Sequence, residues 1–164
     1  MADAKAVEAT LVARFSYLQG KTRVPRERRV FGEVAADKFS EVFDYAVKEM
    51  HFSILCTITG LDLGTAYGAI YHLANEDGVL LNLQTSVSKE KPVFKTVTRY
   101  FPAADAYERE MVDLLGVEVE GLAPGNRYPL PDGWPEGNYP LRKEWKAEML
   151  SAKDAKPAEG KKDE

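Results

Sequence analysis

SILCTITGLDLGTAYGAIYHLANEDGVLLNLQTSV, residues 53–87, contains three strand-like runs separated by two turns. The runs Ser53–Leu61, Thr65–Leu73 and Val79–Val87 are rich in β-branched, aromatic and aliphatic residues, which favour strands. The turns at residues 62–64 and 76–78 each end in glycine, which adopts positive φ readily. Strands joined by such short turns pair antiparallel. The stretch therefore predicts a three-stranded antiparallel meander.

The residues just before the meander predict a long amphipathic helix from Asp37 to Met50. Its apolar residues recur at i, i+3, i+4, i+7, i+8 and i+11, which forms one stripe along a helix. These residues are Phe39, Val42, Phe43, Ala46, Val47 and Met50. A helix beside such a meander predicts an α+β fold, with a mostly antiparallel sheet and the helices on one face.

The flanking segments predict smaller elements of the same domain. Ala4–Leu18 is expected to form a short helix, because Val7, Leu11, Phe15 and Leu18 recur every three or four residues. Lys21–Glu33 is charged and contains a proline, so it is either a loop or an edge hairpin, with a possible strand start near residue 30. A further helix is expected from about Ala104 to Leu115, ended by Gly116. Residues 1–120 are therefore predicted to form one α+β domain, including the N-terminal helix.

The C-terminal part of the chain has a different composition. Residues 121–139 contain four prolines and four glycines, which predicts an extended arm over residues 121–146. Residues 147–164 have almost no apolar side chain after Leu150, so they are predicted to be a disordered charged tail.

Composition excludes several classes of function. The 164 residues carry a formal net charge of −4, which favours neither nucleic acid nor an anionic membrane as a partner. The single cysteine, Cys56, excludes an internal disulfide and an iron–sulfur cluster held by this chain's own thiolates. There is no basic, apolar leader and no apolar run of about 20 residues, so we expect a soluble cytoplasmic protein that reaches a membrane only through partners.

The candidate residues for chemistry are Glu108, Arg109, Glu110 and Asp113. On a helix, Glu110 and Asp113 share a face and Arg109 can reach Asp113 at i+4. Paired carboxylates beside an arginine can perform acid–base catalysis if burial raises one pKa. The alternative is a charge cluster that faces solvent or a partner, and the absence of an accompanying nucleophile or metal-ligand set favours it.

The remaining reactive side chains suggest structural roles. His51 and His72 with Cys56 make no recognisable metal-ligand spacing, so we expect structural histidines and a buried thiol. The basic run Arg23, Arg26, Arg28 and Arg29 is interrupted by Glu27 and lacks interleaved aromatic residues. It predicts a surface loop or a salt-bridge strip at a protein interface better than a nucleic-acid site.

The predicted arm carries four aromatic residues, Tyr128, Trp134, Tyr139 and Trp145. Aromatic and arginine side chains are enriched in the cores of protein interfaces. The arm is therefore expected to become ordered on another subunit. The alternative is an arm that folds back on its own domain.

Three blocks of the sequence resemble a known family. The block FPAADAYEREMVDLLG, residues 101–116, and the later blocks LPDGW, residues 130–134, and YPLRKEW, residues 139–145, resemble the signature of the 30 kDa subunit of NADH dehydrogenase, the respiratory complex I. The resemblance covers roughly residues 36–145. The residues that carry the signature or the interface it implies are Tyr107, Glu108, Arg109, Glu110, Asp113, Gly116, Arg127, Pro131, Trp134, Tyr139, Pro140, Leu141, Arg142, Lys143 and Trp145.

The sequence departs from the respiratory form after Gly116. Where that form has a histidine followed by a basic pair, this chain reads LAPGNRYPL over residues 122–130, and only Arg127 is basic. This variant resembles the equivalent subunit of group 4 energy-converting [NiFe] hydrogenases. Respiratory complex I remains the alternative.

The resemblance implies a structural subunit without a catalytic, cofactor or metal site of its own. Its implied partners are a large catalytic subunit, NiFe-hydrogenase-like or 49 kDa-like, a small iron–sulfur subunit and, through the complex, membrane subunits. The NiFe centre and iron–sulfur clusters are expected in those partners, and nucleic acid is not a partner. The implied location is the cytoplasmic side of the cell membrane, in the peripheral arm of the complex.

Overall fold

The N-terminal segment forms one helix and one short turn. The computed structural model describes residues 3–150, and helix α1 spans Ala4–Arg14. Phe15 leaves helical geometry at φ −127°, and a 3-10 turn follows over Ser16–Leu18. The four apolar residues predicted for this helix, including Phe15 and Leu18, are all buried. Their burial is confirmed, although the helix ends at Arg14 rather than at Leu18.

Five strands form the main sheet. They are β1 (Thr22–Arg26), β2 (Arg29–Glu33), β3 (Ile54–Asp62), β4 (Ala66–Ala74) and β5 (Leu80–Ser88). Their order across the sheet is β1-β2-β5-β4-β3. β3, β4 and β5 pair antiparallel, which confirms the predicted meander. β1 and β2 pair antiparallel, so the charged N-terminal segment is a hairpin rather than a loop.

The hairpin joins the meander through a parallel pair. β2 pairs with β5 in parallel, with Val30 opposite Leu81 and Gly32 opposite Leu83. The sheet is therefore mixed, with β1 and β3 as its edge strands. The chain makes this parallel connection through helix α2, Ala36–Lys48, and the first two strands of the meander.

The helices cover one face of the sheet. Phe39 and Phe43 of α2 contact the ring of Tyr71 on β4, with ring centroids 4.6 and 5.5 Å apart. Helix α3 spans Ala104–Leu115 and packs on β3. A Cβ at Gly60 of β3 would meet the Leu115 side chain at 2.8 Å, so this glycine allows the close approach of α3. The predicted α+β fold with helices on one face is confirmed. None of the helices within residues 3–150 is long and apolar enough to cross a membrane.

Two features of the structure are absent from the sequence prediction or differ from it. Strands β6 (Val93–Lys95) and β7 (Glu118–Glu120) form a small parallel sheet, and each is too short to give a periodic signal. A 3-10 turn covers Ala147–Met149, within the predicted disordered tail. The rest of that tail, residues 151–164, lies outside the described residues.

A buried glutamate connects α3 to the loop after β6. Glu108 is 1% exposed and accepts hydrogen bonds from the Thr96 hydroxyl at 2.6 Å and the Val97 N–H at 2.7 Å. The Thr98 N–H donates in turn to the Thr96 hydroxyl. Burial raises the pKa of Glu108, and the two hydrogen bonds oppose that rise. Glu108 is thus a structural residue of the interior.

We expect Glu108→Ala to lower the free energy of unfolding by about 2–4 kcal/mol, because it leaves the buried Val97 N–H without an acceptor, removes an acceptor of the half-buried Thr96 hydroxyl and opens a cavity. Glu108→Gln retains an acceptor for Val97 and should cost no more than about 1 kcal/mol. Urea unfolding of the two variants measures the difference. Equal losses in both variants would contradict this role.

The parent and Glu108→Gln should respond differently to pH. Because the pKa of Glu108 is raised in the folded protein, its contribution to stability is full below its ordinary pKa and is lost as pH rises through the folded value. The stability of Glu108→Gln relative to the parent should therefore increase as pH rises from about 4 to about 7. Urea unfolding across this range measures the trend, and a relative stability that falls with pH would contradict it.

Candidate functional site on helix α3 and the C-terminal arm

The C-terminal end of α3 is capped by the arm, residues 121–146. Arg142 donates from Nε to the Leu115 carbonyl at 2.7 Å and from Nη2 to the Gly116 carbonyl at 3.5 Å. The Leu141 N–H donates to the Leu114 carbonyl at 3.0 Å. The last carbonyls of a helix have no partner within it, and a cation there is also favoured by the helix dipole. The arm supplies the donors through Leu141 and Arg142, and it supplies the cation through Arg142.

Gly116 is required at this junction for two reasons. It adopts φ +69°, the left-handed conformation that ends α3. A Cβ at this position would also lie 2.5 Å from Arg142 Nη2 and from the Tyr139 ring. The Arg142 guanidinium stacks on that ring, 4.2 Å from its centroid. The signature residues Gly116, Tyr139 and Arg142 therefore form one contact group.

Asp113 holds the middle of the arm. This carboxylate is 6% exposed and accepts from Arg127 Nε at 3.1 Å and from the Leu130 N–H at 3.3 Å. Arg127 also donates from Nη1 to the Trp134 carbonyl at 2.9 Å. The single basic residue retained in this part of the arm therefore pairs with the last acidic residue of the signature helix.

Arg109 holds the beginning of the arm. Its guanidinium binds both carboxylate oxygens of Asp105, at 2.7 and 2.9 Å, and donates to the Ala123 carbonyl at 2.7 Å. A Cβ at Gly125 would meet this guanidinium at 2.5 Å, so glycine lets the arm lie directly on it. The predicted pair of Arg109 with Asp113 is wrong. Arg109 turns toward the N-terminal end of α3, where Asp105 lies one turn earlier.

Asp62, at the end of β3, holds the last part of the arm. Its carboxylate accepts from the Lys143 N–H at 3.0 Å, the Lys89 ammonium at 2.9 Å and the Gly64 N–H at 2.8 Å. Burial by itself would raise the pKa of Asp62, but these donors together lower it to about 2. The sequence alone does not predict this contact, because its pattern indicates only that Asp62 belongs to the turn at residues 62–64.

Aromatic signature residues lie around these contacts. The Tyr107 hydroxyl donates to the Cys56 carbonyl of β3 at 3.3 Å. The ring centroids of Trp134 and Trp145 lie 6.3 Å apart, and Trp134 Nε1 donates to the Asn138 carbonyl. Trp145 Nε1 is buried and has no hydrogen-bond partner among the described residues.

The last signature residues differ in what they contact. The Pro131 carbonyl accepts from the Trp134 N–H at 2.9 Å, which closes a turn within the arm. Pro140 lies between Tyr139 and Leu141, where the arm meets the end of α3. The Glu110 carboxylate makes no ion pair within residues 3–150. Glu110 therefore takes no part in the contacts that hold the arm.

The arm has a bound inner side and an open outer side. None of residues 121–150 is buried, although the arm is tied to the domain at four places along its length. Two of its large apolar side chains are at least half exposed, Tyr128 at 51% and Leu141 at 50%, and Met149, just beyond the arm, is 53% exposed. The contacts on the inner side agree with the alternative prediction, in which the arm folds back on its own domain. The outer side remains available for the predicted docking on another subunit.

The remaining candidate residues His72 and Cys56 lie on the neighbouring strands β4 and β3. His72 lies between Thr59 and Asn82, with its ring nitrogens 3.0 and 2.6 Å from their side-chain oxygens. No group of metal-binding side chains occurs within residues 3–150. Cys56 was expected to be buried but is exposed, because the register of β3 shifts between Leu55 and Thr57.

The basic run lies on the β1–β2 hairpin. The Arg23 guanidinium lies 4.7 Å from the centroid of the Phe31 ring. Arg26 and Arg29 stand opposite each other at the end of the hairpin. Within the described residues, these three arginines make no ion pair. The salt-bridge strip expected at a protein interface involves a partner and stays a prediction.

We expect Arg142→Ala to detach the last part of the arm, because the carbonyls of Leu115 and Gly116 and the Tyr139 ring lose their cationic partner. The free energy of unfolding should fall by about 1–3 kcal/mol. Hydrogen exchange of residues 139–146 should become faster while α2 keeps its protection. Arg26→Ala, at an exposed position on β1, is the matched control and should change stability by less than about 0.5 kcal/mol. Unchanged exchange in the arm would refute the capping role.

We expect Asp62→Asn to weaken the same part of the arm in a pH-dependent manner. The pKa of Asp62 is lowered to about 2 in the folded protein, so its contribution is present above its ordinary value of 3.8 and is lost as pH falls through 2. The stability difference between parent and variant should be constant at neutral pH and should shrink below about pH 4. Chemical unfolding between about pH 3 and pH 7 measures it, with the exposed Asp132→Asn as control. A stability difference that does not depend on pH would contradict a role for the negative charge of Asp62 in holding the arm.

The chain matches known proteins along most of its length. The family model described as "Respiratory-chain NADH dehydrogenase, 30 Kd subunit" matches residues 32–149. The F(420)H(2) dehydrogenase of Methanosarcina mazei has a subunit that is 28% identical over 87% of this chain and 92% of its own length. The membrane-bound hydrogenase subunit beta of Pyrococcus furiosus is 30% identical over 74% of this chain and 73% of its own length.

Solved structures give the same result. A chain from the membrane-bound sulfane sulfur reductase, an archaeal respiratory membrane complex, superposes with a TM-score of 0.76 at 28% identity, over 98% of this chain and 95% of that chain. A trypsin-resistant fragment of Nqo5 has the same fold, with a TM-score of 0.61 at 24% identity, over 71% of this chain and 98% of the fragment. The family match begins within the second strand and includes α3 and the whole of the arm. The chain therefore belongs to the family of the 30 kDa subunit of respiratory-chain NADH dehydrogenase.

Proposed function

We propose that this chain is a cofactor-free structural subunit in the peripheral arm of a membrane-bound energy-converting [NiFe] hydrogenase, which couples hydrogen evolution to ion translocation. It docks on the large catalytic subunit. The observation that carries the proposal is the likeness to the beta subunit of a membrane-bound hydrogenase over about three quarters of both chains. The departure from the respiratory form over residues 122–130 supports the same choice.

The docking surface in this proposal is the outer side of the arm, formed by Tyr128 and Leu141, together with Met149 just beyond the end of the arm. A long surface segment with no buried residue gains little from its own domain by hydrophobic burial, so polar contacts hold it. Half-exposed apolar side chains on such a segment can be buried by a second subunit. The inner contacts then serve binding, because an arm already held in place loses less conformational entropy on docking.

The absence of a cofactor in this chain is part of the proposal. Two of the candidate carboxylates make hydrogen bonds within the chain that hold its structure. Glu108 binds the loop after β6, and Asp113 binds Arg127. The lone thiol of Cys56 cannot hold a cluster by itself. The NiFe centre and the iron–sulfur clusters are assigned to the large and small partner subunits.

The first experiment is affinity purification of the tagged chain from mildly solubilised membranes, with partners identified by mass spectrometry and nickel quantified. Membrane subunits together with stoichiometric nickel are the expected result. The same membrane subunits without nickel, but with a flavin-bearing module that oxidises NADH, would instead assign the chain to complex I. A chain recovered alone would refute the assembly role.

The second experiment tests the outer side of the arm. Leu141→Ser should lower the recovery of the large subunit about tenfold, which corresponds to about 1.4 kcal/mol of binding. It should leave the stability of the isolated chain unchanged, because the side chain is already half exposed. Ile54→Ser is the matched control, since Ile54 is equally exposed at 50% but lies on β3, away from the arm. Equal losses for both variants, or for neither, would count against docking through the arm.

A further inference from the structure

A cavity of about 290 Å³ lies between α2 and the small sheet, apart from the arm. Its inner wall is formed by buried aromatic residues, Phe39 and Phe94 with the ring of Tyr71. Its rim carries Lys91, Lys95 and Glu120, which are all exposed. The cavity therefore has an apolar interior and a charged entrance, which is the usual character of a small-molecule site.

One polar group in the wall lacks a partner. Thr85 is 4% exposed, and its Oγ1 has no hydrogen-bond partner among the described residues. Thr85 lies two residues from Leu83 along β5, so its side chain points to the helix-covered face that the cavity occupies. A buried hydroxyl without a partner costs free energy, and a ligand with a polar group can recover it.

The positive charge at the rim is not neutralised within the described residues. Lys95 stands directly opposite Glu120 in the β6–β7 pair, yet the two side chains do not form an ion pair. Lys91 makes none either. The first turn of α2 reaches the rim at Ala36, and no side chain caps that helix end. Asp37, in the first turn of α2, offsets the positive end of that helix. Among the residues that line the cavity, the two ammonium groups still outweigh the single carboxylate of Glu120, so the entrance favours an anion.

We propose that this cavity binds a small carboxylate with an aromatic or short aliphatic body. The body packs on Phe39 and Phe94, a polar substituent bonds Thr85 Oγ1, and the carboxylate lies at the rim near Lys91 and Lys95. None of these residues belongs to the contacts that hold the arm. The proposal therefore does not rest on the assembly function.

The test is a titration of the full, isotopically labelled chain with 4-hydroxyphenylacetate, followed by amide chemical shifts in NMR. The expected result is a saturable shift at residues of the cavity wall, including Thr85 and Phe94. The neutral 4-hydroxyphenylacetamide should bind at least tenfold more weakly, because it lacks the charge. Phenylacetate should also bind more weakly, because it lacks the hydroxyl that bonds Thr85.

Variants separate the contributions of the rim and the wall. Lys95→Glu should weaken binding of 4-hydroxyphenylacetate at least tenfold, whereas Lys146→Glu, an exposed lysine in the arm, should leave it unchanged. Thr85→Val keeps the shape of the side chain and should remove the preference for 4-hydroxyphenylacetate over phenylacetate. Equal affinity for the acid and the amide, or no saturable shift at millimolar concentrations, would overturn the proposal. If Lys95→Glu instead impairs recovery of partner subunits while no acid binds, the proposal is overturned and the cavity receives a partner's side chain.

Discussion

The unpaired carbonyls at the end of α3 are the constraint on which the position of the arm depends. Every helix ends with carbonyls that need donors from elsewhere. In this chain the donors come from Leu141 and Arg142, about 26 residues further along. The arm makes no helix or strand between residues 121 and 146, so it has no regular backbone pairing to fix its path. Its route is set by the polar groups that α3 and β3 offer.

The signature of the family has a physical explanation at this junction. Arg109, Asp113 and the end of α3 each bind a different part of the arm, in the order in which the arm passes them. Glu108 points the other way and ties the same helix to the domain interior. One helix thus connects the folded core on one side to the arm on the other. Glu108, Arg109 and Asp113 resemble a catalytic cluster in the sequence. In the structure, Glu108 ties α3 to the domain interior, and Arg109 and Asp113 hold the arm.

The sequence predicts the parts of this structure that repeat a local pattern. The meander, the stripe of α2 and the end of α3 at Gly116 all follow from periodicity and turn chemistry. The parallel pairing of β2 with β5 could not be predicted, because it depends on which edge of the meander the hairpin meets. The burial predicted for Cys56 is wrong because a shift in register interrupts the alternation of β3. The partners of the candidate residues were also beyond prediction, since Asp62 and Lys143 meet across 81 residues of sequence.

The parallel pair has a consequence for how the chain reaches its fold. Asn82 donates to the Val30 carbonyl 52 residues earlier, and the two strands it joins enclose α2 and two strands of the meander. Closing so long a loop costs entropy that local contacts do not, and such pairings are slow to form. The hairpin β1–β2 is synthesised before the meander but has no strand of it to pair with until β5 has been synthesised. In this half of the sheet, the order of synthesis is therefore the reverse of the order of pairing. The hairpin is synthesised before the meander, but β2 can join the sheet only after the meander has formed β5.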